Sequence, residues 1–120
     1  MTQDPTKLRQ FSRIDYITDA HLQWEGHVVP CQVQDLSLRG AQVNVDSELP
    51  EVPMELHIEL GSPGPKIYMN VIIMRQEKGI VGLRCEQIDL DSLINLRRVL
   101  EANLGDPEQV EQELSKLSAA

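Results

Sequence analysis

Val29-Pro30-Cys31-Gln32-Val33-Gln34-Asp35-Leu36-Ser37-Leu38-Arg39-Gly40-Ala41-Gln42-Val43-Asn44-Val45 decides the architecture. Val29, Cys31 and Val33 alternate with Pro30, Gln32 and Gln34, and Ala41, Val43 and Val45 alternate with Gln42, Asn44 and Asp46. A period of two marks a strand with one buried and one wet face. Between the two runs stand an aspartate, a serine and a glycine, which a strand-to-strand turn uses on its own account. Pro30 cannot donate to a ladder, which places it at a bulge or on the edge side of its strand.

The same period extends in both directions. Upstream, Ile14, Tyr16, Thr18, Ala20 and Leu22 alternate with Asp15, Asp19, His21 and Gln23, with Ile17 as the exception, and Glu25-Gly26 makes a turn. Downstream, Met54, Leu56, Ile58 and Leu60 alternate with Glu55, His57 and Glu59. Gly61 to Pro65 is a turn, and two β-rich runs, 66–75 and 80–88, are joined across Gln76-Glu77-Lys78-Gly79 as a hairpin. Six short, evenly spaced strands without intervening helices predict a closed antiparallel barrel. From residue 89 the period becomes helical. Asp89 or Asp91 caps a helix with Leu93, Leu96, Leu100 and Leu104 on its apolar face, Arg97 and Arg98 toward its end, and Gly105 as its stop. Asp106-Pro107 starts a second helix carrying Val110, Leu114 and Leu117. The expected fold is mainly β with C-terminal α, a six-stranded antiparallel barrel followed by one or two helices. It divides into a flexible basic arm at 1–13, a barrel at 14–88 and helices at 89–120, within one domain.

Composition excludes several functions. The 120 residues suit a single core. No apolar run is long enough to span a bilayer, and Met1 to Lys7 lack the apolar core of a signal peptide, so a cytoplasmic protein is expected. Cys31 and Cys85 lie in alternating apolar patterns outside any Cys-x2-Cys motif and read as buried, reduced packing residues. The formal net charge of −8 argues against a nucleic-acid polymer as partner. Charge is uneven, however: residues 1–40 hold four basic groups against five acidic, and residues 41–120 hold seven against fourteen. The amino-terminal cluster suits a small anion better than a long one.

Arg9-Gln10-Phe11-Ser12-Arg13 supplies two guanidiniums at a spacing of four. Such groups fork onto phosphate oxygens or onto the O6/N7 edge of guanine. Asp35 can accept from the N1–H and N2–H of guanine, Ser37 adds a hydroxyl, and Gly40 allows close backbone approach. Arg-x3-Arg followed by Asp-x-Ser-x2-Gly resembles the signature of PilZ domains, small β-barrels that bind the bacterial second messenger cyclic di-GMP. Gly79-Ile80-Val81-Gly82-Leu83-Arg84-Cys85 is similar to the last strand of that family, and the tail from Cys85 to Leu117 is similar to stand-alone members that end in helices. The resemblance implies a non-enzymatic receptor with Arg9, Arg13, Asp35, Ser37 and Gly40 as binding residues and Lys7, Gln10 and Arg39 as helpers. Arg75, in or beside the strand-five hairpin, is a further candidate helper able to stack on guanine, against a solvated hairpin residue as the alternative. It also implies cyclic di-GMP as ligand rather than a cofactor, and an unidentified protein effector as partner. Leu8 stands where some relatives carry another basic residue, which leans toward one ligand per chain.

Competing readings have less support. Trp24 suits the closing of a barrel end better than ligand stacking. His21, His27 and His57 fall on polar strand faces without partners at metal-ligand spacing, so no metal is expected. No nucleophile elbow or paired carboxylates suggest catalysis, and no enzyme is expected. A protein-interaction module on the same barrel without nucleotide binding is the alternative function. An oligonucleotide-binding barrel would need more stacking surface than 3% aromatics supply.

Overall fold

The computed structural model describes residues 11–61 and 63–119. Six strands, β1 (Ile14–Trp24), β2 (His27–Ser37), β3 (Gly40–Asn44), β4 (Met54–Glu59), β5 (Lys66–Glu77) and β6 (Ile80–Ile88), precede helices α1 (Leu90–Leu104) and α2 (Pro107–Ala119). The strands close into an antiparallel barrel in the order β1-β2-β3-β6-β5-β4, with β4 returning to β1. Alternation has the consequence expected of it: Leu22, Val33, Val43, Leu56, Ile67 and Val81 point inward and are fully buried. Pro30 pairs with His21 of β1 but lies before the β3 ladder, which starts at Gln32, so its missing N–H costs nothing.

Two hairpins turn on two residues each. Glu25 and Gly26 have φ of 45° and 83°, and Lys78 and Gly79 have 51° and 82°. Two consecutive left-handed residues match the twist of the flanking strands. The second hairpin is therefore tighter than its sequence suggests: β5 runs through Gln76 and Glu77, and only Lys78 and Gly79 form the turn. The Asp-x-Ser-x2-Gly segment also contains more strand than turn. Asp35 lies inside β2, Ser37 ends it, Gly40 begins β3, and Leu38 and Arg39 alone make the connection.

Bulges re-aim the side chains. Ile17 falls at a register shift between Asp15 and Thr18 and is consequently exposed, which accounts for its break in the period. In β5, Ile67, Met69 and Val71 point inward, and unbroken alternation would send Arg75 inward too. A shift between Ile73 and Arg75 leaves Met74 as the extra residue, and Arg75 emerges on the outer face. Gln76 then takes the inner side, where its side chain accepts from Leu49 N–H (2.7 Å) and donates to Leu49 C=O (3.0 Å).

Helix α1 starts on Asp89, whose carboxylate accepts from Ser92 N–H (3.0 Å) and Ser92 Oγ–H (2.6 Å). These bonds hold its carboxyl below the usual range. Ser92 Oγ in turn accepts from Tyr68 N–H of β5 (2.9 Å), and Asn95 donates to Lys66 C=O (2.8 Å), which moors the helix to the barrel. Leu96, Leu100 and Val110 extend the core into the helices. Gly105, at φ 69°, stops α1 as expected. Arg97 and Arg98, expected near its end, sit mid-helix, and no basic residue occupies the last turn. Arg97 instead ties the helices together, binding Glu101 (2.8 Å) and Glu111 (2.6 Å).

Both cysteines are free. Cys31 is buried, but Cys85, just beyond the β3 pairing that starts at Gly40 opposite Arg84, is only half-buried. Burial pushes the Cys31 thiol up to about 12 and the Cys85 thiol to about 11. Trp24, at the end of β1, packs partly against the core and stacks on His27 with ring centroids 5.3 Å apart.

Candidate functional site

The outer face of β3, β6 and β5 carries a cavity of about 500 Å³ where it meets residue 13. Cross-strand rows build its floor. Gln42, Gly82 and Arg75 form one row, and Gly40 and Arg84 lie in the next. Among the described residues, five cations line the cavity (Arg13, Arg39, Arg75, Lys78 and Arg84) against the single carboxylate of Glu77. In a chain of net charge −8 this is a local excess of positive charge, which concentrates a small anion.

Of the residues singled out from sequence, Arg13, Ser37, Gly40, Arg39 and Arg75 all border this cavity. Asp35 stands behind Arg13, with Arg13 Nη1 3.5 Å from its Oδ1. That oxygen is shielded from water and takes no hydrogen bond among the described residues. A buried acceptor so placed suits a donor that arrives with a ligand. Lys7, Arg9 and Gln10 lie outside the described residues.

Ser37 and Gly40 already serve the fold. Ser37 is buried, and its Oγ accepts from Arg39 N–H (3.1 Å) while facing Gly40 C=O at 3.5 Å. The same turn is held from the other side, where Cys85 N–H donates to Arg39 C=O (2.7 Å). A Cβ on Gly40 would sit 2.0 Å from the Leu83 carbonyl oxygen, so the close approach that demands glycine here is between β3 and β6. The first duty of this glycine is to let two strands meet.

The last residues of the Arg-x3-Arg segment are tied to three parts of the body. The Phe11 ring is buried, with the Arg39 guanidinium carbon 5.6 Å from its centroid. Ser12 donates to Glu113 of α2 through both N–H (3.0 Å) and Oγ–H (2.6 Å), and its Oγ accepts from Gln109 (2.6 Å). Arg13 reaches Asp35. Glu113 is itself buried. Nothing in the sequence marked it, because a lone glutamate on a helix is ordinarily a solvated one. Gln42, Lys78 and Arg84 were missed as well. Their signal was register: the alternation of β6 puts Ile80, Gly82 and Arg84 on one face, but only the pairing of β6 with β3 and β5 brings that face beside Arg13.

Elsewhere, His21 and His57 meet with ring centroids 4.9 Å apart, and His57 Nε2 lies 2.8 Å from Glu55. Burial, then the neighbouring His57, lowers the His21 pKa. Among the described residues no group of three histidine, cysteine or acidic side chains is arranged to hold a metal, and no helix is long and apolar enough to cross a membrane.

A closed six-stranded barrel with a cationic hollow on its outer face, bordered by Arg13, defines a small β-barrel domain with a candidate anion site. The PilZ domain family model matches residues 7–102, and the chain belongs to that family. PilZ domains are generally non-enzymatic receptors for cyclic di-GMP. Solved structures agree on the fold. The PilZ domain of CeSA from a cellulose-synthesizing bacterium superposes with a TM-score of 0.55 at 17% identity, covering 78% of this chain and 96% of that one. The Bacillus subtilis inhibitor of motility (MotI/DgrA) superposes with a TM-score of 0.63 at 20% identity, over 82% of this chain and 52% of that one. This chain thus spans about half the length of MotI.

Proposed function

We propose that this chain is a cyclic di-GMP receptor that passes ligand occupancy to a protein effector and catalyses no reaction. The observation that carries the reading is the convergence of Arg13, Arg39, Arg75, Lys78 and Arg84 on one cavity beside the Asp35-x-Ser37-x2-Gly40 turn. Cyclic di-GMP brings two phosphates and two guanines, and guanidiniums bind both kinds of group. Arg9 and Arg13 clamp a phosphate or the O6/N7 edge of a guanine, and Asp35 takes the N1–H and N2–H of a guanine. Arg39 and Arg75 add charge and stacking surface, and Lys7 and Gln10 flank the clamp. Ser37 bonds its hydroxyl to the backbone of its own turn rather than to a base, which suits holding a ligand more than attacking one.

The energies are of the right order. Fixing arm residues costs about 1–2 kcal/mol each, and each charge-assisted hydrogen bond returns about 1.5–3 kcal/mol. Losing one arginine therefore costs roughly tenfold in affinity or more. Titration calorimetry of cyclic di-GMP on the wild type, Arg9→Ala and Arg13→Ala tests this, with GTP, cyclic GMP and a short RNA as controls. Weakened binding in both variants and a stoichiometry near one are expected. Wild-type affinity in both would eliminate the site, and a wild type indifferent to the ligand would favour a pure protein-interaction module.

A further inference from the structure

Of the glycines in and around the barrel, Gly82 is the one whose own fold does not need it. Gly26 and Gly79 occupy left-handed turns, at φ 83° and 82°, and Gly40 permits the approach of the Leu83 carbonyl. Gly82 has no left-handed φ, and a Cβ there would meet only Arg75 Cβ at 3.8 Å, an ordinary contact. A glycine inside a strand weakens it and commonly marks a place where something else comes close.

Its position says what that something is. Gly82 is the middle of the row Gln42–Gly82–Arg75, with Ile80 and Arg84 two residues away on the same face, all bordering the cavity. The absent side chain leaves a flat strip of backbone edged by an amide and two guanidiniums. The bulge at Met74 is what brings Arg75 out beside it. A planar heterocycle fits such a strip. Its face lies on bare peptide, a guanidinium stacks on it or forks onto its edge, and the Gln42 amide both donates to and accepts from that edge.

Resting on the receptor reading above, we infer that Gly82 is the floor of a purine slot, with Arg75 and Arg84 as its walls and Gln42 reading the edge of the base. The slot holds one base of the dinucleotide, while Arg13 and Asp35 act on the part of the ligand beyond it. Arg84 now binds Glu86 at 3.1 Å. It turns from that exposed partner to the ligand.

The test uses the full chain with Gly82→Ala and Gly82→Val, measuring thermal midpoint and cyclic di-GMP affinity on each. Both substitutions suit a strand, so the midpoint is expected to hold or rise. Affinity is expected to fall by about tenfold or more for Gly82→Val, as when a side chain is built into a ligand's space, and by less for Gly82→Ala. A merely structural glycine would not separate the two readouts. Gln42→Ala is expected to narrow the preference for cyclic di-GMP over cyclic di-AMP. Wild-type affinity in a folded Gly82→Val, or in Gly82→Ala should the valine variant not fold, together with unchanged base preference in Gln42→Ala, overturns the slot and leaves the receptor standing. A wild type that binds no cyclic di-GMP removes both.

Discussion

Gly40 and Ser37 serve the fold before any ligand. A methyl at Gly40 has no space because the Leu83 carbonyl already occupies it, and β3 must separate from β6 to admit one. Gly40→Ala is therefore expected to lower stability by about 1–3 kcal/mol, the usual range for overpacking. Urea denaturation without ligand checks this; an unchanged midpoint would refute the structural demand for glycine at this position. Arg13 and Asp35 stand out in the sequence by residue type and order, and the fold sets them side by side. The structural need for Gly40 was not legible in the sequence, because it arises from a strand more than forty positions away.

At the scale of elements, the alternation of two was a reliable guide wherever pairing ran unbroken, as through β4. It failed at bulges. The extra residue at Met74 reverses the facing of everything after it in β5, so that Arg75 looks outward and Gln76 inward. A bulge is a property of two strands together, and neither strand announces it alone. Helix ends were legible for the opposite reason: capping is local. Asp89 takes both of its bonds from Ser92, three residues on. Asp89→Ala is expected to cost about 1 kcal/mol at neutral pH, the usual value of an N-cap. Because these bonds lower the folded carboxyl's pKa, the stabilisation is present above its unfolded value and is lost as pH falls through the folded one. Wild type and variant should then converge in stability in acid, which denaturation curves at neutral and acid pH will show.

Across the whole molecule, the segment that enters the cavity is also the segment that touches the last helix. Phe11, Ser12 and Arg13 are held respectively under Arg39, on Glu113 and against Asp35. A ligand that draws Arg13 from Asp35 moves Ser12 on α2, which gives the proposed signal a physical route. Hydrogen exchange is expected to change across residues 107–117 when cyclic di-GMP is added to the wild type. In Ser12→Ala the change should vanish while affinity stays within about threefold, since Ser12 does not border the cavity. An equal response in both proteins would break the route. The sequence by itself determined the strand and helix elements, the closed barrel, the helix caps and which side chains the Arg-x3-Arg and Asp-x-Ser-x2-Gly segments offer, because period, capping and side-chain type act over a few residues. Only the tertiary structure decided that Gln42, Gly82 and Arg84 share a floor with Arg75, that Glu113 holds Ser12, and that Gly40 is needed by its own barrel. Those facts depend on which strand lies beside which and in what register, and register is set by the sum of many distant contacts rather than by any short stretch of chain.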